Sequence, residues 1–247
     1  MRCLLPDSGP IDDLAAFVAA EARPAPADRP WVLVDMIASL DGAVTVDGRS
    51  GGLAGPADKA MFSALRAVGD VILAGAGTVR AEGYGPPNPS PETRAARRAR
   101  GQAEAPRLAV VSRSLDLDVR ARMFVEAEEP PFVLTCQHAP TDAIEALDEV
   151  AEVIVVGTST VDLDAAMAVL RRRGVQTITC EGGPHLNGDL LVADLIDEWA
   201  LTIAPLLVGG DARRSTTGPL PPDPRPMRLA RVVEDDGVLL TRWVRDR

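Results

Sequence analysis

The chain has 247 residues, of which 46% are hydrophobic, 25% are charged and 3% are aromatic. Its formal net charge of −10 and its isoelectric point near 4.8 argue against nucleic acid or an anionic membrane as a partner. The length allows one large domain or two small ones, each able to bury a core.

The three cysteines, Cys3, Cys136 and Cys180, are widely spaced and odd in number. They therefore predict neither a disulfide framework nor a thiolate metal site. No apolar stretch near the N-terminus has the length of a signal peptide, and no run reaches the roughly 18 to 20 apolar residues of a membrane span. We expect a cytoplasmic protein without a membrane partner.

Residues 1–30 read as an N-terminal leader with a helical stretch near 11–21 and a stiff proline-containing connector. From Trp31 onward, strand-like and helix-like segments alternate without a break, which favours a single domain over 31–247. The elements predicted in its first part are strands at 31–38, 70–74, 107–112, 131–136, 152–156, 175–180 and 198–204, and helices at 56–68, 162–173 and 185–191.

The segment 82–102 is polar and carries an arginine cluster at 94–100, so it predicts a surface loop with one or two helical turns. Near the C-terminus, two strand-like runs at 227–233 and 238–244 flank an Asp-Gly pair that is typical of a hairpin. The sequence as a whole predicts an α/β fold. Its sheet is mixed and mostly parallel, flanked by helices, and ends in an antiparallel hairpin.

The first motif is Gly75-Ala76-Gly77-Thr78, which follows a short apolar strand and precedes a helical segment. Glycines let the backbone approach a phosphate closely, and free N–H groups at a helix start suit an anion. An ordinary strand-to-helix turn explains the same residues equally well. The motif is not a Rossmann fingerprint, because the third glycine would fall at Arg80.

A second motif, Ser112-Arg113, ends another predicted strand. A hydroxyl and a guanidinium at that position could hold the 2′-phosphate of NADP, because arginine offers a fork of donors that matches phosphate. Taken in isolation, this motif slightly favours a solvated strand end over a phosphate site.

Two further motifs follow strands, Ser39-Leu40-Asp41-Gly42 and Glu181-Gly182-Gly183-Pro184. In open α/β sheets, ligands bind beyond the carboxyl ends of the strands, so the loops that follow several strands meet at one edge. An ordinary Asp-Gly turn is the simpler explanation of residues 41–42. In the functional interpretation, the carboxylate of Asp41 could orient a substrate or relay a proton.

Taken together, these residues resemble the reductase domain of riboflavin biosynthesis, the RibD C-terminal type. The matching residues are Ser39-Leu40-Asp41-Gly42, Ser50, Leu65-Arg66-Ala67, the segments 70–78 and 205–210, and Glu181-Gly182-Gly183-Pro184. Their order and approximate spacing agree with the family from residue 31 to residue 210.

The resemblance implies a dihydrofolate-reductase-like fold, a homodimer and NADPH as cofactor. It implies hydride transfer to C1′ of a ribosylamino-pyrimidinone 5′-phosphate, which gives the ribitylamino product. It assigns cofactor binding to Ala38, Gly75, Gly77, Thr78, Glu82, Ser112, Arg113, Gly182, Gly183, Pro184, His185, Leu186 and Asn187. It assigns substrate binding to Ser39, Asp41, Ser50, Arg66 and Glu181, of which Asp41 and Glu181 are the expected catalytic residues; no metal is expected.

The chain departs from the family pattern after Thr78, where an acidic-proline pair and an arginine for the substrate phosphate are expected. The segment 81–88 has neither, and the arginine-rich insertion follows it. Three alternatives remain open: the insertion supplies the missing arginine, the substrate lacks that phosphate, or the substrate is another heterocycle such as a dihydropterin. A non-catalytic NADPH-binding protein is the rival from another functional class.

Overall fold

The structure is a computed structural model that describes residues 1–246. Over this range it contains the strands β1 (Arg2–Leu5), β2 (Gly9–Pro10), β3 (Trp31–Ser39), β4 (Val71–Gly75), β5 (Arg107–Val111), β6 (Phe132–Thr135), β7 (Glu152–Val155), β8 (Thr177–Cys180), β9 (Glu198–Ala204), β10 (Arg228–Asp235) and β11 (Val238–Val244). The α-helices are α1 (Leu14–Ala19), α2 (Pro56–Val68), α3 (Ala76–Glu82), α4 (Pro91–Ala99), α5 (Arg122–Val125), α6 (Thr141–Asp148), α7 (Leu163–Arg172) and α8 (Pro184–Val192).

The chain divides into two compact units. The first unit comprises Met1–Pro24, Trp31–Val68 and Thr179–Arg247, and the second comprises Ala25–Pro30 and Gly69–Ile178. Arg247, the last residue of the predicted domain 31–247, lies outside the described residues. A leader at 1–30 followed by one reductase domain stays a prediction.

In the first unit the strand order is β2-β1-β10-β11-β9-β3-β8, with the last two residues of β8 at its edge. β3 runs parallel to β9, in a register that pairs Ser39 with Ala204. β11 is antiparallel to both β9 and β10. The predicted C-terminal hairpin is therefore confirmed, and its turn is Asp236-Gly237, with Gly237 at a φ of 80°.

Helix α2 has the bounds that the sequence predicts, 56–68. Proline suits the first helical position because its missing N–H has no intrahelical partner there. The buried residues of α2 lie on one face at helical spacing, and the helix packs on α1, β3 and β11. They are Ala57, Met61, Ala64, Leu65 and Val68. The side chain of Arg66, in the last turn, extends from this helix to Glu181, the residue that follows β8.

The second unit contains the parallel strands β4, β5, β6 and β7 in that order. β4 has four fully or nearly fully buried residues followed by Gly75, as expected of a parallel strand covered on both faces. The carboxylate of Asp70 precedes β4 and accepts from the backbone N–H groups of Gln176 and Thr177 at 2.8 and 3.0 Å. Asp70 is thus a structural member of the family motif that contains it.

The N-terminal segment holds more structure than its sequence predicts. The expected helix is present as α1, but β1 also pairs with β10, and Cys3 lies opposite Val233. Arg23 donates two hydrogen bonds to the buried carboxylate of Glu198, at 3.0 and 2.9 Å. Residues 1–24 are therefore built into the first unit by a strand pairing and by a buried ion pair.

The α/β class with a mixed sheet is confirmed, and most predicted elements lie within two residues of their observed positions. The segment 82–102 contains a longer helix than expected, α4, whose N-cap Ser90 accepts from the N–H of Thr93. No helix within residues 1–246 has the length and apolar character needed to cross a bilayer.

Candidate active site

Arg66 and Glu181, two predicted substrate residues, form a bidentate ion pair in the first unit. Arg66 Nε donates to Glu181 Oε1 at 2.6 Å, and Nη2 donates to Oε2 at 2.7 Å. The Glu181 side chain is 3% exposed and that of Arg66 is 29% exposed. The guanidinium also lies 4.2 Å from the centre of the Phe62 ring. A planar fork on a buried carboxylate fixes the orientation of both groups.

Asp41 lies on the surface of the first unit and binds the loop after β9. Its carboxylate accepts from the N–H of Gly209 at 2.6 Å, from the N–H of Val208 at 3.2 Å, and from the Ser39 hydroxyl. The Ser39 hydrogen bond, followed by those of Gly209 and Val208, lowers the pKa of Asp41 to about 2. Asp41 is therefore ionised at neutral pH and holds the segment 205–210.

The backbone conformation of that segment explains why it contains Gly209 and Gly210. Gly209 and Gly210 both have a φ of 69°, a left-handed conformation that residues with a Cβ adopt at a cost. The chain can therefore turn its Val208 and Gly209 N–H groups toward one carboxylate. The family motif at 205–210 and the family motif at 39–42 form a single hydrogen-bonded unit.

The segment Glu181-Gly182-Gly183-Pro184 ends β8 and begins α8. Gly183 caps α8 without a side-chain hydrogen bond, so no side chain of the cap occupies the N–H groups of the first turn. Such an uncapped helix start is suited to an anion. Gly182 has a φ of 81°, and a Cβ added there would lie 3.3 Å from the Met36 sulfur.

The loop 211–218 packs on the start of α8, a feature that the sequence did not predict. Asn187 Nδ2 donates to the carbonyl of Ser215 at 2.9 Å, and the N–H of Thr217 donates to the carbonyl of Pro184 at 2.9 Å. Gly188 allows this contact, because a Cβ added there would lie 2.1 Å from the Thr217 carbonyl oxygen. In the sequence, this loop could have been recognised from the run of arginine, serine and threonine residues at 213–217.

The same loop also contacts the segment that follows β3. The carbonyl of Arg213 accepts from the N–H of Val44 at 3.3 Å. Arg213 and Arg214 are both exposed, and within residues 1–246 neither guanidinium has an ion pair or a hydrogen bond. Two unengaged cations therefore lie between the start of α8 and the segment that follows Asp41. Ser50 lies in a short 3-10 helix further along that segment.

In the second unit, the residues predicted to bind the cofactor at the ends of β4 and β5 lie side by side. Gly75 ends β4 and pairs with Val111, the last residue of β5. Gly75 is also the N-cap of α3 and makes no side-chain capping bond, which leaves Gly77 and Thr78 in an uncapped first turn. Ser112 follows directly on Val111 and caps a turn by accepting from the N–H of Leu115 at 3.0 Å.

Arg113 is exposed at the end of β5, and its guanidinium has no ion pair or hydrogen bond with the described part of the chain. Glu82, in contrast, is the last residue of α3. It therefore lies about 9 Å along the helix axis from the first turn. The second unit thus places Gly75, Gly77, Thr78, Ser112 and Arg113 at one edge, with Glu82 at the far end of α3.

The arginines of the insertion are engaged within the second unit. Arg94 forms a bidentate pair with Glu128, at 3.1 and 2.7 Å, and Arg98 pairs with Glu104 at 2.5 Å. Arg97 is buried and donates to the carbonyls of Ala103 and Gly69 at 2.8 and 2.7 Å. These contacts stabilise the surface helix α4, and the three guanidinium groups are therefore already engaged and not available to a ligand.

The comparisons with known proteins agree with the motifs. The sequence model of the RibD C-terminal domain family matches residues 30–240. A protein of Archaeoglobus fulgidus named 2,5-diamino-6-ribosylamino-4(3H)-pyrimidinone 5′-phosphate reductase is 32% identical over 183 residues, which are 74% of this chain and 83% of that protein. A protein of the same name from Aquifex aeolicus is 32% identical over 190 residues, 74% of this chain and 80% of its own.

The crystal structure of a pyrimidine reductase-like protein from Corynebacterium diphtheriae is 28% identical and superposes with a TM-score of 0.77, covering 89% of this chain and 93% of that one. The fold is thus that of the pyrimidine reductases, as the resemblance implied, and the resemblance itself is confirmed. The chain belongs to the RibD C-terminal domain family.

Proposed function

We propose that this protein is an NADPH-dependent reductase that converts the ribosylamino group of a pyrimidinone 5′-phosphate into a ribitylamino group. The observation that carries the proposal is the Arg66–Glu181 pair, which fixes a buried carboxylate beside Gly182 and Gly183 at the start of α8. A fixed, oriented carboxylate is suited to the N–H groups of a pyrimidine ring. The names of the relatives, which align over four-fifths of their length, support this substrate class.

The relatives' name refers to a diaminopyrimidinone, whereas the deaminated alternative is a 5-amino-6-(5-phosphoribosylamino)uracil. The two compounds differ at ring carbon 2, which carries an amino group in the first and an oxo group in the second. Because the relatives at 32% identity are named for the first compound, we propose the diaminopyrimidinone as the preferred substrate. The uracil form is the comparison substrate.

We propose NADPH as the cofactor because the residues present fit its charges. The unengaged guanidinium of Arg113 is suited to a 2′-phosphate, which NADPH carries and NADH lacks. When bound, the cofactor supplies the hydride. The chain's own residues bind and orient it, and they are those implied by the resemblance: Ala38, Gly75, Gly77, Thr78, Glu82, Ser112, Arg113, Gly182, Gly183, Pro184, His185, Leu186 and Asn187.

On the substrate side, we propose that Ser39, Asp41, Ser50, Arg66 and Glu181 form or support the site. The phosphate of the substrate needs a further cation, because the family's arginine is absent and Arg66 is bound to Glu181. The arginines of the insertion are engaged elsewhere. Among the described residues of the first unit, Arg213 and Arg214 are unengaged cations beside α8, so we propose that they bind the substrate phosphate.

We further propose that the protein is a cytoplasmic homodimer and that residues 31–247 act as one reductase domain. Light scattering of the purified protein measures the mass in solution, and a mass of one chain would contradict the dimer.

The experiment that tests the proposed function is product analysis by mass spectrometry after incubation with NADPH. Each pyrimidinone phosphate and dihydrofolate are offered in separate reactions. We expect a gain of two hydrogens in the diaminopyrimidinone. Turnover of dihydrofolate alone would assign the protein to another heterocycle, and NADPH binding without any turnover would indicate a non-catalytic protein.

A further inference from the structure

Asp35 is a half-buried carboxyl in the middle of β3, and nothing in its sequence context suggested a role for it. It follows four buried apolar residues of the strand and lies opposite Ala200 of β9. Within residues 1–246 its carboxyl accepts no hydrogen bond and forms no ion pair. Burial of a carboxyl without a hydrogen-bond or ion-pair partner costs free energy, so Asp35 is a candidate for a role in function.

Two other buried acids of the first unit accept hydrogen bonds, as expected of carboxylates with a structural role. Glu198 accepts from Arg23, Arg242 and the indole N–H of Trp31. Asp197 accepts from the N–H of Val32 at 2.9 Å. Asp35 differs from both because none of the described residues donates a hydrogen bond to its carboxyl.

Titratable groups face Asp35 from three elements. Helix α2 contributes Asp58 and Arg66, the end of β8 contributes Cys180 and Glu181, and β10 contributes Arg231. Both cations are paired with other acids, since Arg66 binds Glu181 and Arg231 binds Glu21 at 2.8 Å. The Asp58 carboxylate is hydrogen-bonded by Thr202 of β9.

The balance of these groups favours the protonated form of Asp35. Burial, then the charges of Glu181 and Asp58, raise the pKa of Asp35 well above its usual value, against a smaller opposing effect of Arg66 and Arg231. A protonated carboxyl is a hydrogen-bond donor and a proton source. Asp35 thus combines the neutral acid form with partial access to solvent beside Glu181.

We propose that Asp35 is the general acid of the reaction and donates a proton to the nitrogen that joins the pyrimidine to the sugar. This inference rests on the proposed function, in which Glu181 faces the pyrimidine that carries this nitrogen. The substrate reacts in its ring-opened imine form, in which a C=N double bond joins C1′ to this nitrogen. As a hydride forms the new C–H bond at C1′, the electron pair of that double bond moves to the nitrogen. The nitrogen takes the proton of the Asp35 carboxyl, and solvent reprotonates the carboxylate. The step consumes one hydride and one proton and gives a secondary amine.

The first test is Asp35→Asn, which keeps the shape and removes the acid. General acid catalysis contributes about 10²- to 10⁴-fold, so kcat with the diaminopyrimidinone should fall by at least about 100-fold. The dissociation constant of this substrate in the presence of NADP⁺, measured by calorimetry, should change less than about threefold. A kcat within threefold of wild type, or a loss of substrate binding as large as the loss of kcat, would overturn the assignment.

The second test uses the pH dependence of kcat with Asp35 intact. Wild-type kcat should fall at high pH as Asp35 ionises, and this limb should be absent in the residual activity of Asp35→Asn. Asp58→Asn removes a neighbouring negative charge, so the limb should move to lower pH while kcat at its plateau is retained. A limb that persists in Asp35→Asn, or stays in place in Asp58→Asn, would assign the titration to another group. If the wild-type protein gives no ribitylamino product at all, the proposed function fails and this inference fails with it.

Discussion

The guanidinium of Arg66, in the last turn of α2, binds both carboxylate oxygens of Glu181, the residue that follows β8. The two residues are 115 positions apart in the chain. Helix packing on one side and strand pairing on the other bring them together, and the pair gives the candidate site its fixed carboxylate.

We expect Arg66→Met to reduce turnover strongly and to lower the free energy of unfolding by about 1.5–3 kcal/mol, because it leaves the buried Glu181 carboxylate without these hydrogen bonds. Glu181→Gln should also reduce turnover strongly, because it removes the charge that orients the Arg66 guanidinium. Urea unfolding and steady-state kinetics measure the two effects. Arg94→Met is the matched control, since Arg94 forms a bidentate pair with the exposed Glu128. It should cost less than about 1 kcal/mol and leave turnover intact. If Arg94→Met reduced turnover and stability as much as the substitutions of Arg66 and Glu181 do, the Arg66–Glu181 pair would have only a structural role.

Asp41 should hold the loop 205–210 and not exchange protons at neutral pH, because its hydrogen bonds lower its pKa to about 2. The contribution of its ionised form is complete above the ordinary pKa near 3.8 and is lost as the pH falls through about 2. The amide NMR signals of Val208 and Gly209 should therefore titrate with a midpoint near 2. A midpoint near the ordinary value would show that the carboxylate is not bound to this loop.

Asp41→Asn weakens the same hydrogen bonds at every pH. We expect kcat to fall about tenfold or more through displacement of the loop, with NADPH affinity nearly unchanged. If NADPH affinity is lost as well, Asp41 supports the cofactor site and its assignment to the substrate side is wrong.

Arg113→Ala should weaken NADPH binding by about 1–3 kcal/mol and leave NADH binding nearly unchanged, because only NADPH carries the 2′-phosphate. Fluorescence titration with both cofactors measures the difference. Arg120→Ala is a suitable control, since Arg120 is exposed in the same unit and pairs only with the nearby Asp118. An equal loss for both cofactors after Arg113→Ala would remove Arg113 from the 2′-phosphate site.

Arg213→Ala and Arg214→Ala should raise KM for the 5′-phosphorylated substrate by roughly 10- to 100-fold, the effect of losing one charge-assisted contact. The dephosphorylated substrate should be reduced equally well by the variants and by the wild type. Arg98→Ala, in the insertion, is the control that should change neither KM. A rise in KM for both substrate forms would indicate that the loop 211–218 had lost its position.

The sequence predicted the elements whose signals are local. Pro56 and the apolar spacing of α2 defined that helix to the residue, and Asp236-Gly237 defined the hairpin. β1 was missed because it is four residues long and pairs with β10, more than 220 positions away. No local pattern reports a pairing of that kind.

In the candidate site, too, the sequence predicted the residues that have a local signal and missed the contacts between distant parts of the chain. The motifs identified Arg66, Glu181 and Asp41 as separate residues, but not that Arg66 binds Glu181 or that Asp41 binds Val208 and Gly209. Asp35 interrupts an apolar strand and reads as a solvated position until the charges around it are known. Contacts of this sort depend on tertiary packing, which residue types and spacing do not encode.

The most direct test of the central claim follows the hydrogen that is transferred. The protein is incubated with the diaminopyrimidinone 5′-phosphate and NADPH that carries deuterium at both C4 positions of the nicotinamide, and the product is examined by NMR. We predict one deuterium at C1′ of a ribityl chain and none in the pyrimidine ring. Deuterium in the ring, or a product without deuterium, would contradict the assignment of this protein as a reductase of the ribosylamino group.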